Sequence, residues 1–280
     1  MLHTQWHEEE LSIARGADGP ALVVQNARRN QRPFLHPILA PDGLGTLTED
    51  APPHHPWQHG LYTGLNDVNG VGFWTEGLRG SPSDGTFHPH PLSAPTVAGD
   101  QAHWQVSTEW RGPDGQPLLN ERQAWTLTDA GSTFSLSLDW TLQAIVDLAF
   151  GQYAYGGLFL RMPFRTESGG EAVNSAGQRN QEAENQTAEW VALSMPIPDR
   201  PHSADDGWAG IAIFDHPTNR VHPTPWRVDN QLGISPSPCI AGAWSLAAGA
   251  ESRQRHGLLV YTGRTRLDAV ADHYRRFVQS

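Results

Sequence analysis

Apolar and polar residues alternate most regularly between Glu121 and Leu142. The apolar positions of this run are Phe134, Leu136, Leu138, Trp140 and Leu142. An apolar residue at every second position is typical of a strand with one buried face. The turn-forming sequence DAGS separates this run from the segment ERQAWTLT, which precedes it. Together the two segments predict a β-hairpin.

Further segments along the chain also have the character of strands. They are Ala21–Gln25, His103–Trp110, Ala188–Ser194, Gly210–Phe214 and Arg255–Thr262. Turn residues recur between them, with 28 Gly and 22 Pro in 280 residues. Many strands and few helices predict a mainly β fold, and we expect a large antiparallel β-sandwich. The length is within the range of one core, so we predict a single domain over residues 1–280.

One helix is predicted at the C-terminus. Thr265 would cap it and Asp268 would complete a capping box. Its apolar stripe consists of Leu267, Val270, Tyr274 and Phe277. A stripe on one side indicates a helix that packs against the edge or the outer face of a sheet.

Composition excludes several classes of function. The net charge of −11 argues against nucleic acid and anionic membranes as partners. All 19 basic residues are arginine, and without lysine there is no Schiff-base, pyridoxal phosphate or P-loop nucleotide chemistry. The N-terminus lacks the pattern of a signal peptide, and no apolar run is long enough to span a bilayer. We therefore expect a cytoplasmic protein whose partner is a small molecule, with a homodimer as one option for its oligomeric state.

The segment His54–Trp74 concentrates side chains suited to a ligand site. It combines imidazoles, amides and tryptophans in a glycine-rich run, whereas a segment that only filled a core would need few hydrogen-bonding groups. A sugar ring has both apolar faces and polar edges, so it fits this mixture. The predicted substrate-binding residues are His54, Trp57, Asn66, Asn69 and Trp74, with Tyr155, His216 and Trp226 from later segments.

The same region contains candidates for catalysis. His55 and His59 could act as acid or base, with Glu76 as one of several carboxylates that could assist. Arg161 follows an apolar strand and could hold an oxygen that develops negative charge. Alternatively, His54, His55 and His59 could bind a divalent metal such as Zn, Mn or Fe. Their spacing defines no metal geometry, so the presence of a metal stays open.

Several motifs resemble one known family in their order along the chain. They are RPFLHPILAPDG, HPWQHGLY, VNGVGFW, YGGLFLRMP, GIAIFDHPTNRVHPTPW and AGAWSLAAGAESRQRHGLLVYTG. This pattern is similar to that of soluble bacterial proteins labelled methane-oxygenase-like, or PmoA-like. The chain departs from many members at Trp57 and Gln58, where they carry paired histidines. The resemblance implies a β-sandwich similar to galactose mutarotase and a role in carbohydrate catabolism. It does not imply methane oxidation, which requires membrane-spanning helices.

These observations favour a carbohydrate-active enzyme that hydrolyses, eliminates or epimerises a sugar or an oxidised glycoside. The first alternative is a sugar-binding or regulatory module without turnover. The second is a metal-dependent oxygenase, as the label of the similar family suggests. The expected partner is a small-molecule carbohydrate in each of the first two cases.

Overall fold

The computed structural model describes residues 1–280, and most of its regular structure is β-strand. The strands are β1 (Leu2–His7), β2 (Glu10–Arg15), β3 (Ala21–Asn26), β4 (Phe34–Ile38), β5 (Leu61–Gly64), β6 (Thr86–Pro89), β7 (Thr96–Ala98), β8 (Gln101–Arg111), β9 (Pro117–Asp129), β10 (Phe134–Ala144), β11 (Leu148–Phe150), β12 (Gly157–Leu160), β13 (Glu171–Asn174), β14 (Thr187–Ala188), β15 (Trp190–Pro196), β16 (Trp208–Asp215), β17 (Thr224–Val228), β18 (Ile234–Pro236), β19 (Trp244–Leu246) and β20 (Glu251–Thr262). The α-helices are α1 (Pro238–Ala241) and α2 (Leu267–Val278), and two 3-10 turns span Asn180–Ala183 and Asp205–Gly207.

Two large antiparallel sheets face each other. The first has nine strands in the order β1-β2-β3-β4-β5-β12-β18-β17-β14. The second runs β13-β15-β16-β20-β10-β9-β8-β6, and β7 is added to it alongside β8. Strands β11 and β19 form a separate small ribbon. The predicted mainly β, antiparallel sandwich with a C-terminal helix is confirmed.

The long central strands agree with the alternating pattern of the sequence. The predicted hairpin is β9–β10, in which Asp129 pairs with Phe134 and Glu121 pairs with Leu142. Its apolar positions are buried, and the residues between them are more exposed except for Thr141, which is also buried. The other predicted strand segments also lie in strands, although Ala188–Ser194 is divided between β14 and β15 at Glu189.

Three apolar clusters are present. The largest contains 51 buried residues and fills the space between the two sheets. A second cluster of nine joins α2 to strands of the second sheet. A third cluster of five aromatic residues includes side chains of the first sheet that do not belong to the main core. This third cluster is the part of the fold that forms the candidate site.

Helix α2 packs as its stripe predicted, but its cap differs. Val270 and Tyr274 are buried against the second sheet, whereas Leu267 is 40% exposed. The predicted capping box at Thr265 is wrong: the residue that precedes the helix is Arg266, without a side-chain cap. The Thr265 hydroxyl instead contacts the Tyr261 hydroxyl at 2.7 Å. None of the helices has the length and apolarity to cross a bilayer.

A carboxylate lies in the core between the two sheets. Glu121 accepts hydrogen bonds from the Thr63 hydroxyl and the Gln123 amide, at 2.6 and 3.0 Å. The indoles of Trp140 and Trp110 donate to the same carboxylate at 2.6 and 3.0 Å. Burial raises the pKa of Glu121, while these four donors act against that rise. Because Thr63 belongs to β5 and Glu121 to β9, this network connects the two sheets.

Candidate functional site

The outer face of the first sheet carries a row of aromatic side chains. Phe34, Tyr62 and Phe159 are paired in register across β4, β5 and β12. Successive strand residues point to opposite faces, so Tyr62 points outward while Leu61 points into the core. Trp57 and Trp74 from the flanking loops complete the cluster. The chain thus buries five large aromatic rings away from its main core.

Arg32 holds the two tryptophan-bearing loops in place. Its Nη2 donates to the carbonyl oxygens of Trp57 and Trp74, at 3.0 and 2.8 Å. Its guanidinium lies over the Tyr62 ring, 4.1 Å from the centroid. Gly64 leaves room for this guanidinium, because a Cβ there would lie 2.5 Å from Arg32 Nη1 and would displace it. Arg32 is therefore a structural cation beneath the aromatic wall.

His59 and Glu76 belong to a charge network behind this wall. Arg32 Nε donates to Glu76 at 2.8 Å, and His59 contacts Glu76 at 3.2 Å and Asp50 at 2.6 Å. Burial opposes protonation of His59, but its bonds to Asp50 and Glu76 prevail and raise its pKa. Burial would raise the pKa of Glu76, yet Arg32 and His59 hold it below its usual value. Both ring nitrogens of His59 are engaged, so neither predicted catalytic group is free.

A small cleft opens on the outer side of the aromatic wall. Its volume is about 110 Å³. One part of the lining is aromatic and the other is polar: it consists of His55, Trp57, Gln58, Trp74, Thr75, Arg79, Tyr155, Phe159, Arg227 and Asp229. Four of the predicted residues, His55, Trp57, Trp74 and Tyr155, therefore converge here.

His55 has the properties of a proton acceptor. Burial lowers its pKa, and the neighbouring His54 and Arg161 side chains act in the same direction. The imidazole is therefore neutral at neutral pH. Its Nδ1 is buried without a hydrogen-bond partner, as is Oε1 of the neighbouring Gln58. Buried polar atoms without partners are unusual.

Arg161 and His54 lie next to the cleft. Arg161 is buried, and its Nε donates to Glu49 at 3.2 Å while Nη2 donates to His54 Nε2 at 3.1 Å. Its Nη1 has no partner. His54 also contacts the side chain of Gln231 at 2.8 Å.

Sequence reasoning missed the polar residues of the opposite wall, among them Arg227 and Asp229. The carboxylate of Asp229 is fixed by the backbone N–H groups of Gln231 and Gly233, at 2.9 and 2.8 Å. Arg227 pairs with Glu184. The sequence did contain a signal, since Arg227 and Asp229 alternate with the buried Trp226 and Val228.

Four predicted binding residues lie away from the cleft. The Asn69 amide bonds to Asp147 and Ala149 beside β11, and Asn66 is not part of the cleft lining. His216 accepts a hydrogen bond from Arg255 at 3.0 Å, near the end of β16. Trp226 is buried in the main core and donates to the Ala188 carbonyl.

The three histidines that were candidate metal ligands do not converge. His54 and His55 are in edge contact, with ring centroids 4.8 Å apart, whereas His59 is bound to Asp50 and Glu76. No group of three or more His, Cys, Asp or Glu side chains has the arrangement of a metal site.

Residues 18–275 match the model of a family described as a family of unknown function, DUF6807. The chain belongs to the DUF6807 family. The resemblance to PmoA-like methane-oxygenase proteins was therefore wrong, because the family model that spans nearly the whole chain carries no such label. No curated protein matches this DUF6807 member significantly.

Several solved structures are similar to this DUF6807 chain at low identity. The alpha-galactosidase of Lactobacillus brevis is 13% identical with a TM-score of 0.46, over 93% of this chain and 39% of the enzyme. The alpha-galactosidase AgaA of Geobacillus stearothermophilus is 10% identical with a TM-score of 0.39, over 94% of this chain and 41% of the enzyme. A TPR-domain containing protein of Parabacteroides distasonis is 10% identical with a TM-score of 0.32, over 96% of this chain and 48% of that protein. The chain thus spans less than half the length of each of them, and a likeness at this level assigns it no activity.

Proposed function

We propose that the cleft binds a sugar and that the protein is a carbohydrate-active enzyme. The observation that carries this proposal is the division of one small cleft into an aromatic part and a polar part. The aromatic part is formed by Trp57, Trp74, Tyr155 and Phe159. A sugar ring presents C–H groups on its faces and hydroxyls at its edges, so it can contact the aromatic part and hydrogen-bond to the polar one.

Proton transfer is the chemistry that the polar wall supports best. A neutral His55 can take a proton from a sugar carbon next to a carbonyl group. The C–H electron pair then forms a carbon–carbon double bond, and the carbonyl oxygen becomes an enolate oxygen. Arginines near the cleft would stabilise that negative charge. Epimerisation follows when the His55 imidazolium releases its proton to solvent and water protonates the opposite face of the carbon. Elimination follows when a β-oxygen departs with its bonding pair and takes a proton from the imidazolium or from water.

Glycoside hydrolysis has less support. Hydrolysis of this kind uses two carboxyl groups on either side of the scissile bond. Asp229 is the only carboxylate in the lining of the cleft. Glu76, the predicted partner, is paired with Arg32 and His59 behind the wall. The geometry therefore favours epimerisation or elimination over hydrolysis.

A sugar-binding module without turnover is the second candidate. It is supported by the engagement of His59 and Glu76 in ion pairs, because these groups then shape the site without exchanging protons with a ligand. Under this proposal the aromatic and polar walls would bind a sugar and release it chemically unchanged.

Proton exchange in heavy water distinguishes the two candidates. We would incubate the protein with D-fructose, D-galactose, D-glucuronate and D-galacturonate in D₂O and follow each sugar by NMR. Proton abstraction predicts deuterium at the carbon next to the carbonyl group of one of these sugars. His55→Gln should abolish that exchange while binding persists, and the exposed His103→Gln should behave as the wild type. Binding without exchange would favour the binding module, and absence of binding to all four would contradict both candidates.

A further inference from the structure

We propose that the sugar bound in this cleft carries a carboxylate, which Arg79 holds through its free guanidinium edge. This inference rests on the proposed function of the cleft as a sugar site. It adds the chemical class of the ligand: a sugar acid, such as a uronate, in place of a neutral sugar.

The charge around the cleft differs from that of the rest of the chain. Five arginines and five carboxylates lie at the cleft or directly behind it: Arg32, Arg79, Arg161, Arg165 and Arg227, with Glu49, Asp50, Glu76, Glu184 and Asp229. Their formal charges cancel, so the net charge of −11 is carried by the remainder of the chain. The cleft is therefore a near-neutral region of an acidic molecule, which is where an anionic ligand meets less repulsion than on the rest of the surface.

Arg79 is the arginine of this group without a carboxylate partner. Arg32 is paired with Glu76, Arg227 with Glu184, and Arg161 and Arg165 share Glu49. Arg79 instead stacks on Trp57, with its guanidinium carbon 4.3 Å from the ring centroid. Stacking holds the planar group against the wall and leaves its N–H edge available. A carboxylate matches that edge, because it can accept two parallel hydrogen bonds.

A buried donor beside the cleft also lacks an acceptor. Arg161 is 1% exposed, yet its Nη1 has no acceptor, and its one carboxylate partner also binds Arg165. A guanidinium donates only, so a ligand that reached this group would have to offer acceptor atoms. A sugar acid brings more acceptor capacity than the neutral sugar of the same ring.

Asp229 does not conflict with an anionic ligand. Its Oδ1 already accepts two backbone N–H bonds, which offset part of its charge. It offers acceptor capacity to sugar hydroxyls, whereas Arg79 offers donors. The two groups therefore suit opposite ends of one ligand, a hydroxyl-bearing ring and its carboxylate.

Matched pairs of sugars test the inference. Calorimetry would compare D-galacturonate with D-galactose, and D-glucuronate with D-glucose, at low and at high salt. We expect the wild type to bind one uronate at least about ten-fold more tightly than its neutral partner. This preference should decrease between about 20 mM and about 200 mM salt because the added ions screen the attraction.

Arginine substitutions then show which side chain recognises the carboxylate. Arg79→Gln should weaken binding of the uronate by much more than binding of the neutral sugar, so that most of the preference is lost, whereas Arg79→Lys should retain part of it. Arg264→Gln is the matched control, because Arg264 also stacks on a tryptophan, 3.6 Å from the Trp208 ring, but is not part of the cleft. It should bind as the wild type.

Each contrary result has a distinct meaning. Equal affinity for the uronate and the neutral sugar would overturn the carboxylate inference and leave the sugar site standing. An equal loss of affinity for both sugars in Arg79→Gln would show that Arg79 only supports Trp57, which also overturns it. Absence of binding to every sugar would overturn the sugar site and the inference together.

Discussion

His59 shows how the setting of a residue changes the role expected from its type. Its sequence neighbourhood suggested an acid, a base or a metal ligand. In the structure its two nitrogens contact Asp50 and Glu76, and its ring stacks on Phe34 with centroids 4.6 Å apart. His59 therefore supports the aromatic wall from behind. His55 instead lines the cleft and has a ring nitrogen without a hydrogen-bond partner.

Replacing His59 should reduce stability in a pH-dependent way. Its pKa is raised on folding, so its contribution is present below the unfolded value of 6.5 and is lost as the pH rises through the folded value. We expect His59→Ala to lower the free energy of unfolding by about 3 kcal/mol at about pH 6, because Asp50 and Glu76 lose the cation between them. The loss should be smaller at about pH 9. Urea denaturation at both pH values measures this. The exposed His103→Ala is the control, and a cost that does not change with pH would contradict the assigned protonation.

Two buried groups near the end of β16 have opposite effects on acid stability. Burial raises the pKa of Asp215 from 3.8 to about 6 and lowers that of His256 from 6.5 to about 4. Between these values the folded state binds a proton at Asp215 that the unfolded state lacks, so Asp215 makes stability fall as the pH rises. At His256 the unfolded state binds the extra proton, so stability rises with pH. The two contributions largely cancel in the wild type.

Single substitutions should therefore uncover the two opposing slopes. In the wild type, His256 lowers the free energy of unfolding by an amount on the order of 3 kcal/mol as the pH falls from 6.5 to about 4. His256→Leu should abolish this contribution, so that the variant becomes more stable on acidification. Asp215→Asn should make the acid loss steeper than in the wild type. The measurement is the free energy of unfolding as a function of pH. Parallel pH profiles for both variants and the wild type would contradict this assignment.

At the scale of elements, the long strands were predictable and the strands of the site were not. Strands β8, β9 and β10 have one buried and one more exposed face, which produces the period of two. Every residue of β5 and β12 is buried, because the aromatic cluster covers their outer face. Their alternation is therefore absent from the sequence. Four-residue strands buried on both faces cannot be recognised by periodicity.

Gly157 allows β12 to approach its neighbour closely. Its φ is +144°, and a Cβ there would lie 2.2 Å from the Pro236 carbonyl oxygen. Gly157→Ala should separate β12 from β18 and displace Phe159, at a cost of about 3 kcal/mol or more. Gly99→Ala is the control, since Gly99 also has a positive φ but no atom within 4 Å of the added Cβ. Thermal unfolding compares the two, and an equal loss of Tm would show that backbone strain alone matters.

At the scale of the whole molecule, the Glu121 network connects the sheet of the site to the opposite sheet. Glu121→Gln should destabilise the protein by about 3 kcal/mol, because the new NH₂ group faces donors where the carboxylate accepted them. The exposed Glu251→Gln should have little effect. The free energy of unfolding in urea measures both. If Glu121→Gln were as stable as the wild type, the charge of the carboxylate would not be required.

The sequence by itself determined the fold class, the hairpin and the packing face of the C-terminal helix. These follow from local patterns, since the period of two or of 3.6 shows which side of an element is buried. It also indicated His55, Trp57, Trp74 and Tyr155, because polar and aromatic groups crowd their short segments. The single-domain organisation stays a prediction.

Only the tertiary structure decided which candidates converge. Asp229 and Arg79 line the same cleft although 150 positions separate them in the sequence. Asn69 and His216 lie outside the cleft although their segments also combine polar and aromatic residues. The physical reason is that strand pairing brings distant segments together. Whether a charged side chain is free or paired then depends on partners from other segments of the chain. The residue types indicated which chemistry the site could support. The ion pairs of the folded chain determined which of these groups remain available for it.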